Sequence, residues 1–106
     1  MTSMKDREDG FERKFAHDEE LRFKAMARRN KLLGLWAAEK LGKTGADADA
    51  YAKEVVTADF EEAGDDDVFR KVRGDLDNAS VAVSDHQIRH AMADLLDEAV
   101  RQITAA

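Results

Sequence analysis

The sequence contains no cysteine and no proline. A chain without cysteine can form neither a disulfide framework nor a thiolate metal site, the usual supports of small secreted domains, so the cell interior is the expected compartment. No stretch approaches the roughly 20 apolar residues that a membrane span requires, and the charged first residues are unlike a signal peptide. We therefore expect a cytoplasmic protein that does not insert directly into a membrane.

The composition that remains is typical of a small helical domain. The 106 residues suffice for one domain, and the 43% of hydrophobic residues can form one core despite a charged content of 38%. Aromatic residues make up only 7% of the chain, and Ala, Leu, Glu, Lys and Arg fill most helical positions. These proportions predict an all-α fold.

The charge is negative and unevenly distributed. The net charge is −6, which argues against nucleic acid as a partner because phosphate contacts need an excess of Lys and Arg. Residues 1–31 hold nine Lys/Arg against seven Asp/Glu, whereas residues 32–106 hold eight against sixteen. A mixed, slightly basic first segment therefore precedes an acidic body.

Apolar residues near the amino terminus recur with the period of a helix and predict a long first helix over about residues 12–41. Polar residues interrupt this stripe, so core packing is expected to begin near Leu21 or Phe23. A helix of this length, at about 1.5 Å per residue, is longer than a compact body of this size. We therefore predict a mobile amphipathic arm over residues 1–18 and a four-helix bundle over residues 19–106.

Three further amphipathic helices follow, separated by short connections. Thr44 with Asp47, and Ser84 with Gln87, have the spacing of capping boxes that open the second and fourth helices. Gly64 is expected to end the second helix. The predicted packing residues are Trp36 at the core or its edge; Tyr51, Ala52, Val55, Val56 and Phe60; Val68, Phe69, Val72 and Leu76; and Ile88, Ala91, Met92, Leu95, Leu96, Ala99, Val100 and Ile103. Together the four helices predict a small bundle.

The sequence contains fragments of catalytic and metal-binding motifs, but none is complete. Gly42-Lys43-Thr44 resembles the end of a phosphate-binding loop, yet Ala37 stands where that motif requires glycine. His86 and His90 are one helical turn apart, but a metal site needs further ligands. No glycine-flanked nucleophile accompanies a base. We expect neither an enzyme nor a metal site.

The predicted arm carries two large apolar residues, Phe11 and Phe15, among charged side chains. An amphipathic helix of this kind is a common docking element for a groove on another protein. The candidate partner-binding residues are Arg7, Phe11, Arg13, Lys14 and Phe15. The alternative that the arm folds back on its own bundle remains open at this point.

Several runs of the sequence resemble one known family. The runs KFAHDEE, FKAMARRNKLLG and DDDVFRK are similar to those of the zeta subunits of alphaproteobacterial F-type ATP synthases, and the likeness covers nearly the whole chain. The resemblance implies a four-helix bundle whose amino-terminal segment, roughly Met1 to Ala16, wedges between a catalytic αβ pair and the central rotor and blocks ATP hydrolysis. It also implies the alpha, beta and gamma subunits as partners and a location peripheral to the inner membrane.

Two other functions remain as alternatives. The bundle could sense a nucleotide, with weak ATP or ADP binding through basic side chains, or act as a helical adaptor for a different protein. The candidate phosphate contacts are Lys43, Lys53, Arg70, Lys71 and Arg73. We otherwise expect no cofactor, and we expect the free protein to be a monomer.

Overall fold

The computed structural model describes residues 19–58 and 66–104, which form an all-α four-helix bundle. Its helices are α1 (Glu19–Lys40), α2 (Gly45–Ala58), α3 (Asp66–Asn78) and α4 (Asp85–Thr104). The predicted fold class is confirmed, and no strand occurs in the part of the chain that the structure describes. The predicted arm lies outside the described residues, as do Phe60 and Gly64.

α1 is the central element of the bundle, because it contacts each of the other three helices. It runs antiparallel to α4: Arg28 Nη1 donates to Gln102 Oε1 over 2.9 Å, while Trp36, two turns further along α1, shares a hollow with Leu95 on the preceding part of α4. Within the described residues α2 and α4 do not touch, so they lie on opposite sides of the pair α1 and α3.

The core is built around the carboxyl-terminal half of α1. The predicted faces of α3 and of the first half of α4 are confirmed as buried, whereas Leu95 and Phe69 are half-buried at the core edge, as is Trp36. Among the described residues, α4 contacts α1 and α3. The core cluster comprises Leu33, Ala37, Ala38, Tyr51, Val55, Val68, Val72, Leu76, Val83, Ile88, Ala91 and Met92.

Gly34 allows α1 and α2 to approach closely. A Cβ atom at this position would lie 2.5 Å from the Cα of Ala52, a distance that no side chain tolerates without movement of the backbone. The alanines and Gly34 of α1 therefore let the two helices pack almost backbone to backbone. This contact fixes the carboxyl-terminal half of α1 in the bundle.

The helix ends follow standard capping geometry. Gly42 has φ 77°, and the Lys43 N–H donates to the Ala38 carbonyl, which is the pattern of a Schellman motif. The predicted capping box at Ser84 is confirmed, because the Gln87 N–H donates to Ser84 Oγ (3.1 Å) and the Ser84 N–H donates to Gln87 Oε1 (2.8 Å). At Thr44 the main-chain carbonyl accepts the N–H groups of Asp47 and Ala48, and no side-chain bond joins Thr44 and Asp47, so the capping box predicted there is not found.

Two polar residues are buried inside α1 and were not predicted from the sequence. Arg29 and Asn30 are 1% and 0% exposed, and Arg29 Nε donates to Asn30 Oδ1 over 2.7 Å. The amide nitrogen of Asn30 has no hydrogen-bond partner among the described residues. The residue types do not predict this burial, because arginine and asparagine are mostly exposed in proteins.

Candidate functional site

The candidate partner-binding residues of the arm (Arg7, Phe11, Arg13, Lys14 and Phe15) all lie outside the described residues. The described chain begins at Glu19, directly after the predicted arm. The amino-terminal end of α1 is therefore the part of the bundle to which the arm is attached.

Three of the five candidate phosphate contacts lie together in a groove between α2 and α3. Lys53, Arg70 and Lys71 line this groove, which has a volume of about 620 Å³. We call it the cationic groove; its remaining lining residues are Ala50, Glu54, Thr57, Ala58 and Asp67. Its size suits a small ligand, since ligand pockets commonly measure about 300–1,000 Å³.

Carboxylates already compensate part of the charge of the cationic groove. Arg70 forms an ion pair with Asp67 one turn earlier in α3. The Nζ atom of Lys71 lies 3.0 Å from Asp75 Oδ2 and 3.6 Å from Glu54 Oε1. Three carboxylates therefore lie close to Arg70 and Lys71, and no ion pair of Lys53 is described.

The other two candidate cations lie elsewhere. Lys43 lines a separate hollow with Tyr51 and Asn78. Arg73 is held by two carboxylates: its Nη2 donates to Asp77 Oδ1 (2.6 Å) and its Nη1 to Asp85 Oδ1 (3.0 Å). These hydrogen bonds, the one to Asp77 first, raise the pKa of Arg73. Arg73 thus joins α3 to the start of α4 and does not face the cationic groove.

Tyr51 connects the core to this polar region. Its hydroxyl donates to Asp75 Oδ2 over 2.8 Å, and Lys71 Nζ lies 5.3 Å from the centre of its ring. Burial raises the pKa of Tyr51 well above its ordinary value, and the hydrogen bond to Asp75 and the nearby carboxylates act in the same direction. The hydroxyl is therefore a neutral donor at physiological pH.

His86 and His90 lie on an exposed face of α4. Their ring centroids are 6.3 Å apart, and His90 Nδ1 lies 3.2 Å from Asp94 Oδ2. Among residues 19–58 and 66–104, no group of three or more histidine or carboxylate side chains is arranged to hold a metal ion. Both histidines line a shallow hollow that Trp36 borders. The ammonium group of Lys40 lies over the Trp36 ring, 4.8 Å from its centre.

Two polar side chains of the cationic groove, Glu54 and Thr57, were not predicted from the sequence as part of a site. Helical spacing could have indicated each half of the site, because Thr57 is one turn after Lys53 and donates its hydroxyl to the Lys53 carbonyl. That α3 packs beside α2 is a tertiary contact, which the spacing of residues along the chain does not predict.

The described helices include none that is long and apolar enough to cross a bilayer. The fold and its open surface grooves define the chain as a small four-helix bundle protein. The sequence model of one family, ATPase inhibitor subunit zeta, matches residues 1–102. This chain therefore belongs to the ATPase inhibitor subunit zeta family, and the resemblance seen in the sequence is confirmed.

A solved structure supports the same relationship. One solution NMR structure is similar to this chain with 53% sequence identity and a TM-score of 0.72, and the alignment covers 80% of this chain and 96% of that one. No curated protein matches the chain significantly. As its name states, this is a family of ATPase inhibitor subunits.

Proposed function

We propose that this protein inhibits the F-type ATP synthase by inserting its amino-terminal arm between a catalytic αβ pair and the central rotor, which blocks rotation in the direction of ATP hydrolysis. The observation that carries the proposal is the family match, which extends from residue 1 and so includes the arm as well as the bundle. In this proposal the protein performs no chemistry of its own. It acts in the cytoplasm, peripheral to the membrane through the alpha, beta and gamma subunits.

The physical mechanism is coupled folding and binding. Ordering a short helix that lacks tertiary support costs free energy, so the arm needs a partner surface to become stable. Burial of Phe11 and Phe15 would offset that cost, and only the surplus appears as affinity. The bundle supplies a stable body behind the arm, because the carboxyl-terminal half of α1 is fixed by the core.

Reconstitution tests the proposal directly. The catalytic head of the cognate ATP synthase is purified without this subunit, and its rate of ATP hydrolysis is measured as the full-length protein is added. We expect the rate to fall to a low plateau at a saturating concentration. A rate that stays constant at a large molar excess would contradict the proposal.

The cationic groove favours a second candidate function, the sensing of a nucleotide. Lys53, Arg70 and Lys71 converge there from two helices, and basic side chains that converge on one groove suit phosphate groups. Binding of ATP or ADP to this groove would then adjust the strength of inhibition.

Titration with ATP and with ADP, followed by NMR shifts of the groove residues, tests this second function. Lys53→Ala should weaken binding by about tenfold, because it removes one phosphate contact. Lys43→Ala is the matched control, since Lys43 lines a separate hollow. Equal weakening by both variants would indicate nonspecific charge attraction.

A further inference from the structure

A second hollow lies between α1 and α2. We call it the α1–α2 hollow; it has a volume of about 550 Å³, and its lining residues are Lys31, Asp49, Ala52, Lys53, Val56 and Thr57. Lys53 and Thr57 also line the cationic groove, so the two surfaces adjoin on α2. Lys31 lines the α1–α2 hollow but not the cationic groove, and a substitution there can therefore separate the two surfaces.

The α1–α2 hollow has an apolar part where the two helices pack closely. Ala52 is 1% exposed and lies against Gly34 of α1, and Val56, one turn further along α2, is half-buried. Thr57 Oγ1 already donates to the Lys53 carbonyl over 2.9 Å, so this hydroxyl needs no hydrogen-bond partner from a ligand. This part of the hollow is suited to apolar groups.

The two lysines of the α1–α2 hollow differ from most other basic side chains of the bundle. Lys31 and Lys53 are exposed, and neither forms an ion pair within residues 19–58 and 66–104. The basic residues that do pair with carboxylates are Lys24, Arg70, Lys71, Arg73, Arg89 and Arg101. In a chain of net charge −6, two unpaired lysines at one hollow are a local exception. Asp49 is the one carboxylate of its lining.

This combination indicates the kind of partner that the hollow fits. A lysine can lay its aliphatic stem along apolar surface while its ammonium group stays in water, where it can pair with a carboxylate. An amphipathic helix that docks in a groove presents apolar side chains to the groove and charged side chains to its edges. Charge complementarity with Lys31 and Lys53 then favours an acidic helix over a basic one.

We propose that the α1–α2 hollow docks an acidic amphipathic segment of the cognate ATP synthase head, whose apolar side chains lie against Ala52 and Val56 and whose carboxylates pair with Lys31 and Lys53. This proposal rests on the proposed inhibitory function. Lys31 lies about 18 Å along α1 from Glu19, where the predicted arm is attached, so an inserted arm would hold the hollow close to the enzyme. Contacts through both the arm and the bundle would raise the affinity of each by effective concentration.

Full-length variants test the proposal through their rates of association with, and dissociation from, the cognate head, together with inhibition of hydrolysis. We expect Lys31→Glu to lower the association rate constant by about fivefold to tenfold and to reduce its dependence on salt, because charges at the edge of an interface steer the encounter. Its Tm should stay within about 2 °C of the wild type, since Lys31 is exposed. Val56→Ala should raise the dissociation rate constant by about threefold, because it removes apolar contact.

Lys43→Glu is the matched control. Lys43 is also an exposed lysine without an ion pair among the described residues, and it lines a separate hollow, so its substitution makes the same charge change outside the proposed contact. We expect its association rate constant to fall less than twofold. Equal slowing by Lys31→Glu and Lys43→Glu would show attraction by overall charge and would overturn the docking proposal.

Titration with inorganic phosphate and with ATP tests whether the occupant is a free anion instead. NMR shifts of the Lys31 and Val56 amides that saturate with either anion, and that Lys31→Glu abolishes, would overturn the docking of a protein segment. Absence of such shifts, with slower association of Lys31→Glu with the head, would support it.

The outcomes distinguish this proposal from the inhibitory function on which it rests. Unchanged association by Lys31→Glu or unchanged dissociation by Val56→Ala, with loss of inhibition by the double variant Phe11→Ala/Phe15→Ala, would overturn the docking of the hollow alone. Slower association of Lys31→Glu with a head that the wild type binds without inhibiting would support the docking and contradict the inhibitory function. Absence of wild-type binding would overturn both.

Discussion

The two ends of α1 differ more than any other two parts of the described bundle. The carboxyl-terminal half packs Leu33, Ala37 and Ala38 into the core and brings Gly34 against the backbone of α2. Before Ala25 no residue of α1 is fully buried, and Phe23 is 59% exposed. One continuous helix therefore joins an end that the core fixes to the end at which the predicted arm is attached.

This difference suggests that stability and inhibition reside at opposite ends of one element. The carboxyl-terminal half of α1 is held in the core, and the predicted arm is attached at the other end of the helix. Substitutions in the fixed half should then alter the stability of the bundle, and substitutions towards the arm should alter inhibition.

Leu33→Ala should have the largest effect. Leu33 is fully buried at the centre of the core cluster, and loss of its side chain would leave a cavity that costs about 2–5 kcal/mol of unfolding free energy. Urea denaturation followed by circular dichroism measures this change. Lys31→Ala, an exposed substitution on the same helix, should leave the midpoint almost unchanged. A small effect of Leu33→Ala would mean that the carboxyl-terminal half of α1 contributes less to stability than its burial indicates.

The double variant Phe11→Ala/Phe15→Ala should weaken inhibition by about tenfold to a hundredfold, because each ring can bury about 150–250 Å² in a partner groove. The Tm of the bundle should stay nearly intact, since the arm precedes the residues that pack. Hydrolysis assays and calorimetry on the same preparations give both quantities. Undiminished inhibition by the double variant would show that the inhibitory surface lies on the bundle and not on the arm.

Tyr51 should make the stability of the bundle depend on pH in the alkaline range. Because its pKa is raised in the folded state, Tyr51 stabilises the fold below its unfolded pKa of about 10, and this contribution is lost as pH rises above that value. Tyr51→Phe should remove this part of the alkaline destabilisation. At neutral pH it should cost about 1 kcal/mol through the lost hydrogen bond to Asp75.

Thermal melts between neutral pH and pH 11 test the Tyr51 prediction. The difference in Tm between the wild type and Tyr51→Phe should shrink, or change sign, as the pH rises. A difference that stays constant across the range would show that Tyr51 does not control the alkaline transition.

Ser80→Gly should have the smallest effect, and it should be stabilising. Ser80 lies just after the end of α3 and has φ 59°, a left-handed conformation that glycine adopts without strain. We therefore expect the free energy of unfolding to rise by about 0.5–1 kcal/mol. Ala82→Gly is the control in the same loop; it lacks a positive φ and should be neutral or destabilising. Inhibition should not respond to either change, because this loop follows α3 at the end of the bundle away from the arm.

Local sequence patterns predicted much of this fold. The Ser84 and Gln87 spacing located the start of α4, and the apolar period located the buried faces of α3 and of early α4. These features depend on residues within one or two turns of each other, so spacing along the chain determines them. The extent of burial was predicted less well: Leu95 and Phe69 are half-buried, because coverage depends on which neighbouring helix lies opposite.

The sequence by itself determined the helices, the capping box at Ser84 and the family. Tertiary packing decided which side chains meet. It brought Lys53 of α2 to Arg70 and Lys71 of α3, and directed Arg73 to Asp77 and Asp85 instead. It also buried Asn30 and left Phe23 exposed on the same stripe. A helical period is the same along the whole length of a helix, whereas burial depends on the neighbouring helices, whose positions are set by contacts between residues far apart in the chain.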